Sequence, residues 1–232
     1  MQKINWKYYG LILILLVTTI VFVGCGRNAD SWVDEESGVL VRTGSPQAAV
    51  ASFMDLLGNE SYEAAALMLT KESQEVVTAD TLQNAIRSSR TDTARLVDII
   101  PGPVENGFGL VAHLRVNRFT DHPGTYGIFG IEILRETRGT WGIVRRFEEL
   151  ERTEREQVLE MLVAFEKELL EDEEAFAKLT EEQKENAMNQ LQAMLGMHEN
   201  ALESLQAGFE FVPYEEGRRV VAEPEVEENE DK

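Results

Sequence analysis

Residues 104–147 read VENGFGLVAHLRVNRFTDHPGTYGIFGIEILRETRGTWGIVRRF, and this stretch decides the fold. From Gly107 to Phe119 apolar and polar residues alternate. Leu110, Ala112, Leu114 and Val116 share one face; His113, Arg115 and Asn117 share the other. Asp121-His122-Pro123-Gly124 makes a turn. Thr125 to Glu136 then sets Phe129, Ile131 and Ile133 on one face and Glu132 on the other, with Ile128 and Leu134 in phase with Glu132. After Arg138-Gly139, Thr140 to Phe147 places Trp141, Ile143 and Phe147 together. Period-two alternation bounded by Gly and Pro predicts half-buried antiparallel strands. A sheet with one apolar face needs a cover, and the predicted helices on either side of it in the chain are the candidates.

Upstream, Ser45-Pro46 is a helix start, Ser as N-cap and Pro at the first helical position. Val50, Phe53, Met54 and Leu57 fall on one face of that helix, and Gly58-Asn59 ends it. Ser61 opens a second helix carrying Tyr62, Ala65 and Leu69, and Thr70 to Val77 gives a short third turn. Asp80 and Gln83 have capping-box spacing before Leu82, Ala85 and Ile86. Thr93 to Ile100 reads as a further strand, ended by Pro101-Gly102-Pro103. The class is therefore α+β: N-terminal helices packed in a curved antiparallel sheet of about four strands.

Downstream, residues 148–207 read as an acidic helical hairpin. Val158, Met161, Leu162, Phe165 and Leu169 form one stripe; Ala187, Leu191, Met194 and Leu205 form another. Neither helix can bury its stripe alone. The hairpin either docks on the sheet or offers its Met-rich stripe to a protein partner. Residues 208–232 form an acidic tail with the composition of disorder.

The chain has 232 residues, 22 Lys plus Arg against 42 Asp plus Glu, and a net charge of −20. That balance excludes nucleic acid as a partner, because phosphate binding needs clustered cations. The single cysteine excludes an internal disulfide. It stands at the end of an apolar run, Tyr8 to Val23, behind Lys3 and Lys7: Phe22-Val23-Gly24-Cys25. This resembles the bacterial lipoprotein signal, in which the cysteine is alkylated by diacylglycerol and becomes the new N-terminus. The resemblance implies a signal peptide at 1–24, lipid attachment at Cys25, and an anchored chain on the extracytoplasmic side of the cell membrane. Residues 25–43 show no periodicity and read as a tether. Two readings of Trp32 stand: an interfacial anchor, or a side chain packed back on the domain.

Ser45-Pro46, Ala49-Val50, Phe53, Leu57, Tyr62, Ala65 and Leu69-Thr70-Lys71-Glu72-Ser73, together with Gly139-Thr140-Trp141-Gly142-Ile143-Val144, are similar to nuclear transport factor 2-like domains. These are also called SnoaL-like or cystatin-like, and occur in small bacterial lipoproteins. The resemblance covers roughly residues 43 to 148. It implies a cone at 44–147 with a pocket at its open end, whose interior would include Phe53, Tyr62, Leu114, Phe129 and Trp141. Some relatives of that family are isomerases, dehydratases or cyclases that use Asp, His or Tyr in the pocket. The candidates here are Tyr62, Asp98, His113 and Glu132. The alternation puts His113 and Glu132 on the outer face, away from any pocket. The arginines at 115, 118, 135, 138, 145 and 146 join them there, facing either solvent or the acidic hairpin.

The sequence therefore names no catalytic residue, no cofactor and no metal ligands. His122 and His198 lack metal-ligand spacing. The function it favours is a non-catalytic binding or protein-interaction module on the membrane surface. The alternatives are a SnoaL-type enzyme and a scaffold that dimerises through the sheet. Cys25→Ser should abolish acyl labelling of the chain in cells. Unchanged labelling would remove the anchor from this scheme.

Overall fold

The computed structural model describes residues 31–88, 94–118 and 125–209. The signal segment with Cys25, the turn at 121–124 and the tail from residue 210 lie outside the described residues. The elements run β1 (Ser31–Val33), β2 (Leu40–Arg42), α1 (Pro46–Gly58), α2 (Tyr62–Ala66), α3 (Lys71–Gln74), α4 (Ala79–Ser88), β3 (Arg95–Glu105), β4 (Phe108–Arg118), β5 (Thr125–Thr137), β6 (Thr140–Val144), α5 (Arg152–Glu171) and α6 (Glu181–Gln206). Strands β3-β4-β5-β6 form one antiparallel sheet in sequence order, and β1-β2 form a small second one. The fold is α+β.

Local chemistry sets the ends of these elements. Ser45 Oγ accepts from the Ala48 amide at 3.2 Å, with Pro46 opening α1. The β3-β4 turn is Asn106-Gly107 and the β5-β6 turn is Arg138-Gly139, with φ of 49° and 81°, then 56° and 86°. Left-handed backbone at both central residues matches the right-handed twist of the flanking strands. Thr180 and Gln183 form the expected capping box of α6: Thr180 N donates to Gln183 Oε1 at 3.0 Å, and Gln183 N to Thr180 Oγ1 at 3.4 Å. The cap of α4 is Thr78, whose Oγ1 accepts from Thr81 N, two residues earlier than the Asp80 spacing suggested.

The sheet buries apolar residues on both faces. Leu110, Ala112, Leu114 and Phe129 pack with Val158, Leu162, Phe165 and Leu191 of the hairpin. On the opposite face Val111, Leu134, Trp141 and Ile143 pack with Phe53, Leu57, Tyr62 and Leu69 of the N-terminal helices. The five residues expected to share one interior are therefore divided. Phe53, Tyr62 and Trp141 belong to the N-terminal core, Leu114 and Phe129 to the hairpin core. Phe147 also leaves Trp141 and Ile143, because β6 stops at Val144 and a 3-10 turn follows at Phe147–Glu149.

The hairpin is seated by close backbone approaches. A Cβ on Gly102 would lie 2.8 Å from the Phe165 ring, and one on Gly127 would lie 2.2 Å from the Gln183 carbonyl oxygen. Because β6 pairs only with Ile133–Thr137, the first half of β5 meets no strand on that side among the described residues. The Gln190 amide of α6 takes the place of one, donating to Gly127 O at 2.9 Å and accepting from Phe129 N at 3.1 Å. A free strand edge is an aggregation hazard, and α6 covers this part of it.

Two expectations needed correction. Strand β3 continues through Pro101 and Pro103 to Glu105, with a register shift between Pro101 and Val104. Pro is tolerated there because β3 is an edge strand whose outward N–H groups serve no ladder. The 25–43 tether is also partly folded. Residues 31–42 form the β1-β2 hairpin, Val41 is fully buried, and Trp32 packs against the N-terminal core. Thr43 O accepts from Trp141 N at 2.9 Å, fastening this hairpin to the end of the sheet.

With Leu162 in the core that joins hairpin and sheet, Leu162→Ala should cost ~2–5 kcal/mol. Tryptophan fluorescence, reporting Trp32 and Trp141 on the far side of the sheet, should melt together with the helical circular dichroism. Separate transitions would make the hairpin an independent arm.

Candidate functional site

The N-terminal face of the sheet is not apolar throughout. Along β4 the residues in phase with Val111 are His113, Arg115 and Asn117. Across the ladder His113 pairs with Gly130 and Val111 with Glu132. His113 and Glu132 are 3 % and 5 % exposed, so both are interior residues, against the expectation of an outer face. The alternation holds in the structure, but the faces are exchanged. The apolar set faces the hairpin, which leaves the mixed set to face α1 and α4.

Glu132 is the centre of the cluster. Its Oε1 lies 3.3 Å from His113 Nε2, and Arg145 Nη2 of the chain following β6 lies 3.0 Å from both of its carboxylate oxygens. Burial by itself would raise the Glu132 carboxyl. The Arg145 charge and the His113 hydrogen bond more than reverse that and hold it down to about 2. The carboxylate is ionised and can only accept, so His113 Nε2 carries the proton between them. The other ring nitrogen, Nδ1, is buried without a hydrogen-bond partner among the described residues. Gly130 makes room for the imidazole: a Cβ there would lie 2.7 Å from His113 Cε1.

Two guanidinium groups complete the cluster. Arg145 sits over the Phe53 ring, 5.1 Å from its centroid, while holding Glu132. Arg115 is half-buried, and its Nε has no hydrogen-bond partner. Burial lowers the Arg115 pKa from its ordinary value, with Glu132 opposing and Arg145 adding to that shift. Arg115, Glu132 and Arg145 form the polar wall of a cavity of about 370 Å³. Its other walls are mostly apolar side chains of α1 and α4, among them Phe53, Leu57, Leu82 and Ile86, with Thr81 beside them.

The remaining sequence candidates lie elsewhere. Tyr62 is buried in the N-terminal core. Asp98 pairs with Lys178 at 2.7 Å in a largely exposed contact, worth little to stability. Of the arginines expected to receive the acidic hairpin, Arg135 does so, meeting Glu154 at 2.7 Å over the Phe108 ring. Arg115 and Arg145 turn the other way. A second buried carboxylate, Glu166, is fully enclosed between α5 and α6, with Oε1 2.8 Å from His198 Nδ1. Among the described residues no group of three or more His, Cys, Asp or Glu could hold a metal ion. No described helix is long and apolar enough to cross a membrane.

Comparison with known proteins adds little. No protein family matches the chain, and no curated protein does. Among solved structures, a SEC-C motif containing protein from Rhodopseudomonas palustris matches at 12% identity. The match covers 44% of this chain and 77% of that one, at a TM-score of 0.36. Likeness at that level carries no argument about fold or function.

The pairing of Glu132 has a pH signature. Its folded pKa of about 2 lies below the ordinary 4.5. The pair's contribution is therefore complete above the unfolded value and lost as pH falls toward the folded one, roughly 3 kcal/mol in all. Glu132→Gln should flatten the acid limb of the stability profile between those two values, measured by urea unfolding against pH. Parallel acid limbs in the two proteins would reject the pairing.

Proposed function

We propose that the chain is a membrane-anchored extracytoplasmic lipoprotein whose nuclear transport factor 2-like cone is a non-catalytic binding module, with the cavity under α1 and α4 as its binding site. The observation that carries this reading is the state of Glu132. A general acid or base works best with a pKa near the operating pH, and this carboxylate is pinned far below it by Arg145 and His113. Its partner His113 does not line the cavity, and the imidazole nitrogen left free is sealed from solvent. The group that touches the cavity cannot readily move a proton, and the group beside it cannot reach a substrate. What remains is a shaped, largely apolar cavity with fixed charges at one end, the usual make-up of a small-molecule site.

The protein-interaction form of this reading fits less well. The hairpin stripe that a partner would use is buried against the chain's own sheet. A homodimer through the sheet would need the same face. The SnoaL-type enzyme remains the second reading, because a carboxylate and an imidazole do meet beside an open cavity.

Binding at the cavity is tested by blocking it. Ala85 of α4 lines the cavity from an exposed position, so Ala85→Trp fills space without entering the core. Native mass spectrometry of the full chain extracted from its membrane should find a small molecule bound one to one, and the variant should lose it. No bound molecule, or one retained in Ala85→Trp, would count against the binding module.

A further inference from the structure

Resting on that cavity as the binding site, we propose that its ligand is a small amphipathic monoanion, a carboxylate held by Arg115 with an apolar body lying against Phe53, Leu57, Leu82 and Ile86. The argument is one of charge accounting. Three charged side chains form the polar wall, and two of them are already committed. Arg145 holds both oxygens of Glu132 and stacks on Phe53. Arg115 is in no such pair: among the described residues its side chain forms no close ion pair, it feels Glu132 only as a longer-range attraction, and its Nε is buried with nothing to donate to. A guanidinium partly withdrawn from water and held only by a longer-range attraction is a costly arrangement. An anion in the cavity would pair with the part of the Arg115 guanidinium that lines it, and the planar fork of Arg favours a carboxylate or phosphate there.

The surroundings choose between those two. Two guanidinium charges against one carboxylate leave a single positive charge to neutralise. Phosphate approaches a double negative charge at neutral pH, and its second charge would face Glu132 inside a chain of net charge −20. A carboxylate balances the site without excess. The walls set the rest of the molecule. At ~30 Å³ for each non-hydrogen atom, the share of a water molecule in the liquid, 370 Å³ admits about a dozen such atoms. Most of them would touch carbon.

The test uses a matched set of probes of that size: 3-phenylpropanoate, 3-phenylpropan-1-ol, 3-phenylpropylamine and inorganic phosphate, titrated calorimetrically into the full chain. The acid should bind saturably, one to one, at least tenfold more tightly than the alcohol, and more weakly as salt is raised. The amine and phosphate should give no saturable signal. Arg115→Gln should bring the acid down to the affinity of the alcohol, and Arg115→Lys should recover part of the difference. Thermal melts would confirm that both variants fold. Equal affinities for acid and alcohol, or tight binding of phosphate, would overturn the anion assignment while leaving the binding module standing. No binding of the acid to the native chain also overturns it, and Ala85→Trp then decides separately whether the cavity binds anything.

Discussion

The sheet of this protein carries apolar residues on both faces, and both faces must be kept from water. That constraint explains the order of the chain. Four helices precede the sheet and a long hairpin follows it, and each group covers one face. Neither cover holds by charge. The hairpin is rich in glutamate, but exposed ion pairs contribute little, and the contacts that seat it are Phe165 on Gly102 and α6 along the backbone at Gly127. Apolar burial, at ~25 cal/mol per Å², supplies the larger part.

The two covers are also tied to each other. Residues 68–70 add to the edge of β6, with Ile143 N donating to Met68 O and Thr70 N to Ile143 O, each at 2.9 Å. The Glu149 carboxylate, at the start of the hairpin region, accepts from Thr70 Oγ1 and Ser73 Oγ at 2.7 Å. Ser73 Oγ in turn accepts from Arg145 N at 2.8 Å. The same short segment therefore joins α2 to α3, extends the sheet and receives the chain as it leaves for the hairpin. The arginine that it positions is the one that holds Glu132.

Much of this was legible in the residues. The alternation of 107–136, the caps at Ser45 and Thr180, and the stripe of Val158, Leu162, Phe165 and Leu169 each gave the element that is found. What alternation cannot give is which face meets which cover. A mixed set such as Val111, His113, Arg115 reads as a solvated face, because a strand pattern carries no record of helices far away in the chain. Ile128 and Leu134, in phase with Glu132, pointed the other way. Gly130, opposite His113, did too, since a glycine inside a strand marks a close approach. Pro101-Gly102-Pro103 misled for a related reason: its composition says breaker, and only its place at the sheet edge makes it strand. The β1-β2 hairpin was missed because strands of three residues are too short for any period to show.

The charged cluster is the one feature that this packing does not explain. A buried ion pair recovers in mutual attraction about what it loses in desolvation, and well-packed apolar residues in its place are often as stable or more so. The surrounding core offers such residues freely; Val111, Leu134 and Ile143 lie on the same face. Glu132 and Arg145 satisfy one another, and His113 helps them, so that part of the cluster costs the fold little. Arg115 shares in the arrangement only through a longer-range attraction to Glu132. Removing it would relieve a partly desolvated charge and would break no close ion pair among the described residues. Folding alone does not ask for a guanidinium at that position, and a cavity that opens onto it gives the charge somewhere to act.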